Sequence, residues 1–385
     1  MKACFIRQCA FPDVRAIRTK KMVESLSSEG WKTMVLCRNF EGEKSEEDLG
    51  LVSIRRFSKV ASWPFPFNPL WFWWIFKHGR KADVLIVGDL RLFYPAYLAA
   101  KLAGLPLVFD LAEYFPGLGE VEAKKGLEKF FKAPWLVNVL EMGAVRLADV
   151  VWVVVDEQCE RFVAAGIPRG KLSVVSNTPP LENMEAGAVA PASKKFPQIF
   201  TITYVGLLSD GRGVQNVIRA MGYLREMTAN VRLVIVGDGE YKAELEQLTH
   251  DLHVENMVQF KGYMLPEEWG KVLAESSVGV IPHIVKKFWN NTVPNKLFDY
   301  MKAGIPVLSS PAKPTKRIIA ETGCGFVAPE DPLAMAKIIL EIQNNPEGRI
   351  KAGENGRRAV LEKYNWKVDA QFVKDDLRRL TNLNA

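Results

Sequence analysis

Along the chain, short runs of contiguous apolar residues alternate with longer segments in which apolar positions recur every three or four residues. The short runs predict buried strands and the longer segments amphipathic helices. Residues 2–8 read as a first strand, 17–29 as a helix and 30–37 as a second strand, with the acidic stretch 41–48 expected as an exposed loop. Strands follow at 83–88 and 106–110, with a helix over 94–103 between them. A helix ending near Ala148, a strand over 150–155, a helix over 157–165 and a strand over 171–177 continue the pattern. Residues 178–198 break it with Pro, Ala and Gly, as a linker does. Strands then recur at 201–206, 231–236, 278–283 and 305–308, and residues 323–327 with the helices after Pro332 complete this half before a closing helix around 366–380. Such alternation predicts parallel sheets joined by right-handed crossovers.

At 385 residues the chain exceeds one ordinary hydrophobic core and suits two. With 48% hydrophobic and 25% charged residues it has a soluble, globular balance. The start, MKACFIRQCAFP, carries only a short apolar run before Arg7, and nothing supplies the ~20 apolar residues of a spanning helix, so a cytoplasmic protein is expected. Cys4, Cys9, Cys37, Cys159 and Cys324 show neither CxxC nor metal-ligand spacing, which suggests a reducing compartment and no metal site. The net charge of +7 favours acidic partners: phosphates, nucleic acid or anionic lipid. Without a zinc-finger spacing or an RNA-binding aromatic signature, nucleic acid is the least supported of the three.

The segment 290–311, NNTVPNKLFDYMKAGIPVLSSP, concentrates the chemistry. Thr292-Val293-Pro294-Asn295 reads as an entry turn, since a proline near a helix start gives up an amide that would have no intrahelical partner. Leu297, Phe298 and Met301 then share one apolar face, and Ala303-Gly304 ends the helix. Unpaired amides in such a first turn carry the positive end of the helix dipole and suit a pyrophosphate. Lys296 adds a full charge. Asp299, four residues after Asn295, leans back toward a polyol beside those phosphates. Together these groups suit a nucleotide diphosphate. A capped helix with a Lys296–Asp299 surface pair fits the same spacing, and the residues alone leave both readings open.

Asp299-Tyr300-Met301-Lys302-Ala303-Gly304-Ile305-Pro306-Val307 resembles the second half of the signature of the family 4 retaining glycosyltransferases of GT-B fold. Asp stands for the usual second Glu, and Asn291 occupies the place of the first. The resemblance covers nearly the whole chain and implies an α/β protein with two Rossmann-like domains facing a central cleft. It implies an acceptor-binding domain over 1–180, a linker over 181–198, a nucleotide-sugar domain over 199–365, and a closing helix, 366–385, packed back on the first domain. It assigns Asp299 to the ribose and puts Asn291 near the donor sugar. After Gly206, relatives carry two basic residues that clamp the donor diphosphate; Arg212 preserves the second, Leu207 lacks the first, and Lys296 or an N-terminal cation would substitute. Gly262 and Tyr263 end a stretch like the family's base-binding loop. His283 is placed to contact donor sugar or phosphate, a simple hydrogen-bonded histidine being the alternative.

In the first half, Glu113 remains of a pair that relatives place where acceptor meets donor. It is expected to position or partly deprotonate the acceptor hydroxyl, with Asp110 supporting its loop; a loop-capping acid is the alternative. Arg15 and Arg18 fall near the family's first loop, which faces acceptor and donor phosphates, with solvated surface charge as the competing reading.

Residues 62–76, SWPFPFNPLWFWWIF, hold four tryptophans and four phenylalanines and run into Lys77, His78, Arg80 and Lys81. Too short and Pro-broken to span a bilayer, the stretch reads as a monotopic contact, with Trp71, Trp73 and Trp74 in the headgroup zone and the cations over anionic lipid. An aromatic-rich helix packed between domains or in a dimer interface fits too. The expected activity is retaining hexosyl transfer from a UDP- or GDP-linked sugar to a glycan or lipid-linked acceptor at the inner face of the cell membrane. The departing diphosphate would rest on the amides near Thr292 to Asn295, on Arg212 and on Lys296, with no metal or other cofactor. A non-catalytic GT-B subunit partnering another glycosyltransferase would account for Asn291, Leu207 and Ala112. A sugar-nucleotide epimerase shares the architecture, and the sequence leaves both rivals open.

Overall fold

The computed structural model describes residues 1–13, 16–39, 43–58, 69–120, 133–181, 199–227 and 230–382. Two compact units divide them: one takes the described residues of 1–119, 124–177 and 366–385, the other those of 120–123 and 178–365.

The first unit is built on one sheet of β1 (Lys2–Ile6), β2 (Lys32–Arg38), β3 (Glu46–Leu49), β4 (Val52–Phe57), β5 (Val84–Val87), β6 (Leu107–Leu111), β7 (Val150–Val153) and β8 (Leu172–Val174). Their order is β3-β4-β2-β1-β5-β6-β7-β8, and every neighbouring pair is parallel except β3–β4. The unbroken apolar runs of the inner strands follow from burial on both faces. Successive side chains point to opposite sides. Cys4 and Ile6 therefore pack in one core with Trp71, Phe93, Val145 and Phe162, from four helices on that side, while Ala3 and Phe5 pack in another with Met22, Leu26, Val373 and Leu377.

The helix Trp366–Asn382 thus completes the second of these faces. Its polar atoms add specific ties. Trp152 Nε1 donates to Asp376 at 3.0 Å, Trp366 Nε1 donates to Ser25 Oγ at 2.8 Å, and Lys374 and Arg378 each meet Glu29 at 2.8 Å.

Two elements depart from the apolar pattern. The acidic stretch expected as an exposed loop contains β3, paired antiparallel with β4. Glu46 and Asp48 meet Arg55 at 3.5 and 2.9 Å, and Glu47 meets Arg56 at 3.0 Å, so this edge hairpin is held by charge pairs that hydrophobic periodicity does not register. The helix expected from residue 94 starts at Leu90 and contains Pro95, so the proline lies inside it at the loss of one intrahelical hydrogen bond.

The second unit holds β9 (Phe200–Val205), β10 (Val231–Val236), β11 (Val258–Gly262), β12 (Val278–Ile281), β13 (Val307–Ser309) and β14 (Gly325–Val327), in the order β11-β10-β9-β12-β13-β14. All pairs are parallel. The chain enters at β9, winds outward through β10 and β11, and then returns to the other side of β9 with β12. Such a reversal, here at the carboxyl ends of β9 and β12, is where open parallel sheets bind ligands. The first unit has the same kind of reversal between β1 and β5. Both units are α/β, the class that strand–helix alternation implies. Among the described residues no helix is long and apolar enough to cross a membrane.

Candidate functional site

At the β9–β12 reversal of the second unit, three cation-capable side chains converge: Arg212, His283 and Lys296. The loop after β9 can lie close to the loop after β12 because Gly213 has no side chain. With φ at +70°, a Cβ there would stand 1.8 Å from the Pro282 carbonyl oxygen. Ile284 N donates to Gly211 O at 3.2 Å and locks the two loops together. Arg212 closes the short 3₁₀ turn Asp210–Arg212, its guanidinium 4.8 Å from the centre of the Trp289 ring. His283, buried, lies against the same indole with ring centres 3.8 Å apart, and its Nε2 is 3.5 Å from Arg212 Nη1. Burial, then Lys296 and Arg212, drive the His283 pKa well below 6.5, so the imidazole is neutral.

Lys296 opens the helix Lys296–Ala303. Its stem is partly exposed, but the ammonium is sealed from solvent, lies 3.9 Å from the centre of the Tyr204 ring and has no hydrogen-bond partner. Burial is the main cause that lowers its pKa well below 10.5; Arg212 adds to it and Asp299 opposes it. Gly206, at the end of β9 with φ at +142°, makes the room: a Cβ there would stand 2.8 Å from Lys296 Nζ. The Trp289 indole N–H is also buried without a partner. Arg212 and Lys296 have no salt-bridge partner among the described residues. The unsatisfied groups here are donors, so an acceptor-rich anion complements them.

The turn before the helix is more closed than a simple capped start. Thr292, Val293 and Pro294 are buried, and Asn295 is exposed with no side-chain cap bond. Leu297 N donates to Pro294 O at 3.0 Å, and Phe298 N and Asp299 N donate to Asn295 O at 2.9 and 3.2 Å. Those three amides are occupied, so an anion would meet the amides of Asn295 and Lys296 rather than the whole first turn. Asn291 donates its side-chain N–H to Lys287 O at 2.9 Å, which leaves its carbonyl oxygen available. Asp299 is partly buried, one helical turn from Asn295. Gly262, with φ at +68°, ends β11, and its carbonyl accepts from Gly237 N at 2.8 Å; Tyr263 beyond it is 72% exposed. Tyr263 therefore lies two strands away from the cation cluster in the sheet order.

In the first unit, Arg18 is not surface charge. It is 5% exposed and grips the buried Asp110 through Nε at 2.9 Å and Nη2 at 2.8 Å, while Arg7 Nη1 approaches the same carboxylate at 3.5 Å. Its charge is used inside the protein, which removes Arg18 as a free phosphate ligand. Arg15 lies outside the described residues. Glu113 follows β6 on an exposed position. The loop that carries it is backed by Arg161, whose guanidinium is 4.8 Å from the Tyr114 ring centre and pairs with the fully buried Glu141. Burial raises the Glu141 pKa to about 6, against the pull of Arg161 and a backbone bond from Phe115.

The aromatic stretch divides. Residues 62–68 lie outside the described residues. Trp71 is 2% exposed and packs against Phe57 and Trp74 with ring centres 4.8 and 5.4 Å apart, so it belongs to the core and not to a membrane contact. Trp74 is half-buried on the same core, and Trp73 is exposed. Sequence spacing did not point to Trp289, Tyr204, Glu141 or Arg161. Only the two unusual aromatics, one ending the run Lys286-Lys287-Phe288-Trp289 and one inside β9, carry a trace of their roles. Among the described residues no group of three or more His, Cys, Asp or Glu could hold a metal ion.

Two protein families match the chain. The one described as glycosyl transferases group 1 matches residues 190–359, and the one described as glycosyl transferase 4-like domain matches residues 16–178. An uncharacterized glycosyltransferase of Methanocaldococcus jannaschii is 22% identical over 338 residues, 85% of this chain and 83% of its own length. A second from the same organism is 30% identical over 166 residues, so that the match spans 43% of this chain and 41% of that relative. Among solved structures, Anabaena HepE in complex with UDP superposes with a TM-score of 0.75 at 16% identity, over 98% of this chain and all of that one. The same Anabaena protein is also solved with UDP-glucose, at a TM-score of 0.72.

Proposed function

Because the chain belongs to the glycosyl transferases of group 1 and has the GT-B fold, we propose that it moves a sugar, with retention of anomeric configuration, from a nucleotide-diphosphate donor to an acceptor hydroxyl. The donor is UDP- or GDP-linked, and the acceptor is a lipid-linked or polysaccharide precursor at the cytoplasmic membrane face. The observation that carries this reading is the buried Lys296 ammonium without a hydrogen-bond partner, beside Arg212 at a sheet reversal. An uncompensated buried cation is costly, and a diphosphate bound there would repay the cost. The UDP and UDP-glucose complexes of the Anabaena neighbour support a nucleotide sugar in this role.

As the bond to the anomeric carbon breaks, negative charge grows on the leaving diphosphate. Arg212 offers a guanidinium fork to it, Lys296 a full charge, and the amides of Asn295 and Lys296 the positive end of a helix. This charge is neutralised by the chain's own residues, and no step is routed through a metal. The neutral His283 can donate or accept beside the sugar or phosphate. Asn291 turns its free carbonyl oxygen to a donor-sugar hydroxyl, Asp299 takes the ribose, and Gly262 and Tyr263 border the base. Glu113 orients the acceptor hydroxyl, its loop held by Arg161.

Calorimetry of UDP-glucose and GDP-mannose against the parent and Arg212→Ala/Lys296→Ala tests the reading. Each charge-assisted contact contributes about 1.5–3 kcal/mol, so the double variant is expected to bind at least roughly 100-fold more weakly. Undiminished donor binding and transfer in that variant would remove the proposal.

A further inference from the structure

The helices Pro69–Gly79, Leu90–Ala103 and Pro134–Leu147 cover one face of the first unit's sheet, since Ile75, Phe93 and Val145 all pack into the same core. Their opposite stripes point away from the sheet. On them Leu70, Trp73, Leu98, Leu102, Trp135 and Val139 are each between 49% and 65% exposed. Exposed large apolar side chains on three helices that share a face are uncommon on a surface that meets only water. The charges exposed on the three helices themselves have one sign. Lys77, Arg91, Lys101 and Arg146 are exposed on the same helices, and Arg80 follows the first of them. The three helices contain one acidic residue, Glu141, which is fully buried against Arg161.

We propose that this three-helix face is a docking surface for an anionic lipid bilayer, with the six apolar side chains seated at headgroup depth and the cations over lipid phosphates. It deepens the membrane-face part of the proposed function and rests on that part alone, not on the donor site. Charge decides the occupant. A second copy of the chain would set cation against cation across the contact, whereas an anionic bilayer complements every exposed charge on the three helices. Exposed Asp156 and Glu160, on the next helix over the same core, mark where the surface changes character. Trp71 takes no part, while Trp73, two residues on, projects outward.

Cosedimentation of the full chain with vesicles of phosphatidylcholine, and of phosphatidylcholine mixed with phosphatidylglycerol, tests the proposal. Binding to the mixture is expected, with little to phosphatidylcholine alone and a loss at high salt. Lys77→Ser with Lys101→Ser should lower the partition coefficient about 25-fold, roughly fivefold for each cation removed. Trp73→Ser with Trp135→Ser should lower it further, and the melting temperatures of these surface variants should match the parent. Lys296→Met should bind vesicles like the parent, which separates this surface from the donor site. Absence of binding to the mixture, equal binding to both vesicles, or undiminished binding by the substituted proteins would overturn it. So would self-association in solution that the same substitutions abolish, or a Lys296→Met protein that leaves the vesicles.

Discussion

Lys296→Met is expected to make the unliganded protein more stable while it loses its hold on the donor. The Nζ is sealed from water with no hydrogen-bond partner. Moving an ammonium into such a site costs several kcal/mol even after relaxation. The Tyr204 ring, 3.9 Å away, offsets part of this, since a desolvated cation–π contact is worth about 2 kcal/mol. Methionine keeps the stem's packing and gains a sulfur–aromatic contact of about 0.3–1.5 kcal/mol. Desolvation therefore wins, and the variant should be more stable by about 1–2 kcal/mol, with a Tm higher by roughly 2–8 °C. Against that, losing the cation should weaken UDP binding roughly 10- to 150-fold, the equivalent of about 1.5–3 kcal/mol.

The pH dependence has a definite sign. The folded chain holds Lys296 well below its ordinary 10.5, so between the two values the unfolded chain binds more protons, and stability rises with pH. The burial penalty is complete below the folded pKa and gone above 10.5. The stability advantage of Lys296→Met should therefore shrink as pH is raised toward 10.5. A bound diphosphate draws a proton onto Lys296, so UDP affinity should strengthen as pH falls through the same window, and the variant should lack that trend. Thermal melts across pH, with calorimetry in buffers of different ionisation enthalpy, read both effects. A variant that melts below the parent throughout, or that binds UDP as tightly, would refute the reasoning.

Three other outcomes are expected. Asp110→Asn leaves Arg18 buried without its counter-charge, and Arg7 with Asp89 at 3.9 Å, and should cost about 3–5 kcal/mol in denaturant unfolding, part of it recovered by adding Arg18→Met. Gly213→Ala forces a Cβ onto the Pro282 carbonyl at a positive φ; a loss above about 2 kcal/mol, or insoluble protein, is expected, and a Tm equal to the parent's would contradict the close approach. Sugar transfer should persist in EDTA if, as proposed, Arg212 and Lys296 carry the neutralising charge; activity abolished by EDTA and restored by magnesium would reassign that role.

The fold class was legible because burial on both faces of a parallel sheet writes itself as contiguous apolar runs, and β10, Val231–Val236, falls on the residues its run predicts. What periodicity cannot register is structure held by charge, and so the acidic stretch that holds most of β3 read as loop. Arg18 read as a phosphate-facing or solvated cation for a related reason: its partner Asp110 is 92 residues away, and spacing along the chain contains no sign of the pairing. Aromatic density placed Trp71 and Trp73 together, whereas helical phase separates them, with Trp71, Ile75 and Gly79 inward and Leu70, Trp73 and Lys77 outward. Arg212, His283 and Lys296 could be named from their motifs. Trp289 and Tyr204, which hold them, could not, because those contacts join loops and strands far apart in sequence.

The helix Trp366–Asn382, which closes one face of the first unit's sheet, leaves the ribosome after the whole of the second unit. All of the second unit is synthesised before the first can finish its core, so during translation Phe5, Met22, Leu26 and Trp152 face water or a chaperone. A premature stop just before Trp366 would strip the lining from a sheet whose strands are all encoded by Val174, leaving an adhesive surface prone to aggregate. The natural order of manufacture thus makes the first 177 residues wait for the codons of that helix.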